Sequence, residues 1–190
     1  MCDALTNEQT QIEEQIEAIN VETATKDELV SIGAKVAPYV NGLTALALNT
    51  SDEAEEDLHK RRHVLEHFFS AIMSTMARAV HTKHDALEQS VKIVKESMTE
   101  EAFDKLVDEK QAEFAQYQYD VRLKQNAIVS GILANVNEED TLEVLDAHSN
   151  VMVQAHMRQA MQRSMGGLQE MLSQLSESDL EEEAEAATQH

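Results

Sequence analysis

Apolar residues recur along this chain every three to four positions, and polar residues fill the gaps, over most of its length. That period is the helical one, because side chains three and four apart share a face of an α-helix. Ile12, Ile16 and Ile19 follow Thr6 and Gln9, whose spacing resembles a capping box, so a first helix is expected over Asn7–Asn20. Thr25 and Glu28 form a cleaner capping box. They open a second helix with Leu29, Ile32, Val36, Val40 and Leu43 on one side, and Pro38 is expected to kink or split it.

The longest pattern begins after Asn49-Thr50-Ser51-Asp52, where Ser51 is placed as an N-cap. Its seam reads Leu58, Leu65, Phe69, Ile72, Met76, Val80, His84, Leu87, Val91, Val94 and Met98, and no proline or glycine interrupts it before Gly131. After Leu65 the steps alternate four and three, with extra fours around Val80, which is a heptad pattern with a stutter. A helix of that span is about 70 Å long. Thr99 starts another helix with Phe103, Val107, Lys110, Phe114, Tyr117, Val121, Lys124 and Ile128 as its seam. The two seam lysines either snorkel outward or tune register. The short connection favours an antiparallel hairpin over a bent continuous rod. Asn137 and Asp140 mark a further N-cap, followed by Leu142, Leu145, Met152, Val153, Met157, Met161 and Met165, up to a break at Gly166-Gly167.

The pattern therefore predicts an all-α protein: an elongated hairpin or bundle with coiled-coil-like helices at about 51–98, 99–136 and 138–165, plus shorter N-terminal helices. The expected organisation is 1–50 as short helices, 51–175 as the long-helix bundle and 176–190 as an acidic, flexible tail. Composition agrees. Five glycines, one proline and no tryptophan in 190 residues leave little turn or sheet chemistry. Aromatics are only 4%, so the core must be built of aliphatic residues and methionine, which suits narrow helix seams.

Charge narrows the partners. A net charge of −21 disfavours naked nucleic acid and anionic membranes. Residues 137–190 hold twelve acids against Arg158 and Arg163, a net of −10, whereas 51–98 is nearly balanced at −2. The apolar run Leu43–Leu48 is too short to span a bilayer. One cysteine, Cys2, precludes an internal disulfide, and the polar, acidic start predicts no signal peptide. A cytoplasmic setting, or a host cytoplasm or virion for a viral protein, is expected.

Chemistry is sparse. His59, His63 and His67 stand at i, i+4 and i+8, and Glu56 precedes His59 by three, the Glu-x-x-His spacing of di-metal bundles. The second copy and the extra glutamates such a centre needs are missing, and the line lies off the apolar seam. A solvated, partly basic flank with Lys60, Arg61 and Arg62 is the preferred reading. His84 lies on the seam as a register residue or a pH-sensitive one. Met152, Met157, Met161, Met165 and Met171, with His148 and His156, read first as core, then as a partner groove, and last as a copper site. No phosphate loop, nucleophile elbow or Cys-x-x-Cys occurs.

The expectation is a non-enzymatic helical structural or assembly protein without a cofactor, scaffold- or virion-assembly-like in composition, that acts through helix–helix contacts and homo-oligomerises. Its interaction seam is expected at Leu65, Phe69, Ile72, Met76, Val80, Leu87, Val91, Phe114, Tyr117, Val121, Met157, Met161 and Met165. The alternatives are an acidic inhibitor or adaptor that occupies a basic site on a nucleic-acid-binding protein, and a metal-binding helical bundle.

Overall fold

The computed structural model describes residues 2–158 and 161, which are helical throughout apart from turns and short connections. Five α-helices come first: α1 (Cys2–Glu17), α2 (Lys26–Val40), α3 (Leu43–Ala47), α4 (Asp52–Val94) and α5 (Glu100–Leu133). A sixth, α6, opens at residue 141 after a 3-10 turn at Glu138–Asp140. The chain is all-α, as the apolar period requires, and among the described residues there is no strand. It divides into two compact units, Met1–Ser149 and Asn150–His190. The boundary does not fall near residue 50: the N-terminal helices share the core of the first unit with α4 and α5.

Local chemistry sets most helix starts. Thr25 and Glu28 make the expected capping box: the Glu28 carboxylate accepts from the Thr25 N–H at 2.8 Å, and the Thr25 hydroxyl accepts from the Glu28 N–H at 3.3 Å. Ser51 and Thr99 accept from the Ala54 and Ala102 amides at 3.3 and 3.4 Å. Two boundaries differ from expectation. Helix α1 begins at Cys2, ahead of the Thr6 box, and ends at Glu17. Asn20 then closes a turn, its side chain accepting from Glu22 and Thr23 amides. Pro38 does not split α2, which runs through it to Val40. The break comes instead at Gly42, whose φ of +93° belongs to the left-handed region that glycine enters without steric cost. Leu43, expected to extend α2, starts α3.

The helices α4 and α5 form the expected antiparallel hairpin. Met73 meets Gln125, Lys83 meets Glu113, His84 meets Phe114 and Lys95 meets Phe103, so numbers rise on one helix as they fall on the other. The chain reverses through a 3-10 turn at Lys95–Ser97 and the cap at Thr99. At the base of the hairpin, α1, α2 and residues 141–149 of α6 pack around the pair. The core is Ile16, Leu29, Val36, Leu65, Phe68, Phe69, Ile72, Ile128, Ile132 and Val144, each no more than 1% exposed. Helix α2 crosses α5 with glycine against backbone on both sides. A Cβ on Gly33 would stand 2.0 Å from the Ile128 carbonyl oxygen, and one on Gly131 2.2 Å from that of Val30. The crossing needs both glycines because the two backbones touch.

Candidate interaction surface

The hairpin has two halves. In its base the expected seam residues Leu65, Phe69, Ile72, Met76 and Val121 are buried. Beyond Met76 the same period continues, yet between residues 77 and 120 not one residue is buried. Val80, Leu87, Val91, Phe114 and Tyr117 are half-buried. Phe114 meets His84 and Tyr117 meets Lys83 across the two arms, and Tyr117 also borders Val21 and Glu22 of the α1–α2 connection. A shallow groove of about 220 Å³ runs along this distal half, lined by Leu87, Val91, Val107 and Phe114 with His84 and Lys110 among its polar members. Beyond the seam, Ile93 is 80% exposed.

Polar pairs hold the register of the distal half. Glu113 accepts from Lys110 and Lys83, both at 2.8 Å, and these bonds lower its carboxyl to about 2. Its hydrogen bond and the charge it carries raise Lys83 in turn, against the cost of desolvation. Lys110 thus lies beside its own helix's acid rather than in a core. Lys124, the other seam lysine, donates to the carbonyls of Val21 and Glu22, which anchors the α1–α2 connection on α5. Beside it a larger groove of about 760 Å³ lies between α2 and α5, over Leu29, Val121 and Ala127, with Glu22, Lys26 and Asp120 on its rim.

The opposite end of the unit carries a polar clasp that the helical period does not reveal. Asp140 is fully buried. Its carboxylate accepts from the Gly42 N–H at 2.7 Å and the Thr44 N–H at 2.8 Å, the cap and second residue of α3. Burial raises its pKa, but the backbone amides of Thr44 and Gly42 and the side chains of Thr44 and Asn137 outweigh burial, and the group is lowered overall. Asn41 accepts from the Asn137 N–H at 2.9 Å, and Arg61 donates to the Asn41 carbonyl at 3.2 Å. Asp140 therefore caps a helix 96 residues earlier in the chain, not the helix that follows it. Nearby, Arg62 grips Glu143 with two bonds of 2.9 and 2.7 Å.

The histidine line and Glu56 do not bring three donor atoms together. Glu56 is engaged by Lys60 at 2.6 Å, and His67 by Glu13 of α1 at 2.6 Å. His63 and His67 are neighbours with ring centroids 6.3 Å apart, but they and Glu56 form no three-donor cluster. His84 is on the seam side but half-exposed, its ring edge-on to Phe114 at 5.2 Å. His148 packs on Phe69 at 5.1 Å beside Gln125, and burial lowers its pKa. In the second unit Met157 and Met161 are 62% and 63% exposed, which corrects their reading as core residues. Met165 and Met171, and the expected tail at 176–190, lie outside the described residues.

Among the described residues no helix is long and apolar enough to cross a membrane. No family model, curated protein or solved structure matches this chain.

Proposed function

We propose that this chain is a non-enzymatic assembly protein of the cytoplasm that self-associates through the distal half of its α4–α5 hairpin. One observation carries the reading. A heptad seam continues through 77–120, although among the described residues no position of that stretch is buried. A second copy laid across the groove would cover Leu87, Val91, Val107 and Phe114 and convert two helices into four.

Charge supports a second copy as the occupant. Residues 77–98 carry a net +1 in a chain of −21, and residues 99–120 carry −5. A two-fold arrangement sets the first stretch of each copy against the second stretch of the other, so both contacts are attractive.

The test is mass in solution. Light scattering should give at least twice 21.3 kDa for the native chain. The double variant Leu87→Glu with Val107→Glu should fall to 21.3 kDa with its helical circular dichroism retained, because both positions lie outside the buried core. A native chain that stays at 21.3 kDa at high micromolar concentration defeats the proposal.

A further inference from the structure

We propose that His81, His84, Asp85 and Glu88 on α4 form a binding site for one divalent transition-metal ion, with Zn²⁺ as the reference ion. The site borders the groove proposed for self-association, since His84 and Glu88 also line it, and metal binding is read separately from mass in solution. The four residues stand at i, i+3, i+4 and i+7, so they line one face of the helix over two turns. One donor atom each from His84, Asp85 and Glu88 already lies within 4.8 Å of the other two. Asp85 is the centre of the group: one carboxylate oxygen is 3.5 Å from His81 Nε2 and the other is 3.7 Å from His84 Nδ1. Two ligands of a tetrahedral zinc ion, bound at its usual bond lengths, stand about 3.3 Å apart. The two Asp85 contacts are close to that spacing, and Glu88, whose donor lies within 4.8 Å, must turn inward to complete it.

The donor set selects the ion class. Imidazole with carboxylate suits zinc, nickel, cobalt and copper, whereas magnesium and calcium prefer oxygen alone. The surroundings orient the site. The His84 ring is held edge-on against Phe114 of the opposing arm at 5.2 Å, which limits its rotation without consuming a ring nitrogen. Glu88 is paired with Lys92 at 2.7 Å, an exposed bond that the ion would displace. Along α4 the other histidine line lacks this convergence, since His59, His63, His67 and Glu56 do not bring three donor atoms together.

Titration calorimetry of the full chain with ZnCl₂ tests the assignment. One saturable site is expected, weakened at least about tenfold by His84→Ala and by Asp85→Asn, and unchanged in His63→Ala with His67→Ala. Circular dichroism of the variants should match the native chain, because all four ligands are half-exposed or more. The side-chain NMR signals of His81 and His84 should shift on saturation. Absence of saturable binding, or native affinity in both His84→Ala and Asp85→Asn, overturns the proposal.

Discussion

Asp140 shows how one residue can join distant parts of a helical chain. A buried carboxylate is stable only when donors replace its water, and here the Gly42 and Thr44 amides at the start of α3 do so. Asp140→Ala leaves those amides unpaired and should cost roughly 2–3 kcal/mol in urea unfolding. Its folded pKa is lowered, so its contribution is complete above the usual carboxylate range and is lost as pH falls through the folded value. The native stability curve should decline in that acidic window more steeply than that of Asp140→Asn. His148 acts at milder pH. Burial lowers its pKa, so the unfolded chain binds the proton more readily. Stability should fall as pH drops below about 6.5 and level off below the folded value, and His148→Leu should flatten that segment.

Two element-scale features govern how helices meet. Gly33 and Gly131 let α2 and α5 touch backbone to backbone, and a methyl at either would lie about 2 Å from a carbonyl oxygen. Gly33→Ala or Gly131→Ala must push the helices apart and open the packing around Ile128 and Ile132. Either should lower the unfolding free energy by roughly 2–4 kcal/mol despite alanine's better helix propensity, as read by denaturant titration. On the distal half, Glu113 is shared between Lys110 of its own helix and Lys83 of the partner helix. NMR titration of the Glu113 carboxyl should show a midpoint near 2, and Lys83→Met should move it back toward the ordinary range. No shift in that variant would mean that the inter-helix bond is not formed in solution.

At the scale of the molecule, the contrast between the two halves of the hairpin matters most. The base is surrounded by α1, α2 and the first residues of α6, and its seam is buried. Among the described residues the distal half is formed by α4 and α5, and its seam is half-covered. Self-association through that half should strengthen as salt falls, because the proposed contact pairs a +1 stretch with a −5 stretch. Sedimentation at low and high ionic strength measures this, and an association that grows with salt would assign the contact to apolar burial alone.

The apolar period by itself determined that the chain is helical and where α4 and α5 run, and the capping residues Thr25, Ser51 and Thr99 marked helix starts. These depend on neighbours within one or two turns, so local spacing records them. The antiparallel pairing followed from the shortness of the turn at residues 95–99. Tertiary structure decided the rest. Gly33 carries no side chain to enter a periodicity, so its role became visible only where α5 met it. Asp140 resembles an ordinary cap in sequence, and its true partners lie across the fold. Met157 and Met161 share the spacing of core residues, but a period specifies which side chains share a face and not whether anything covers that face. The same limit applies to residues 77–120, whose seam is as regular as that of the base and differs only in what stands against it.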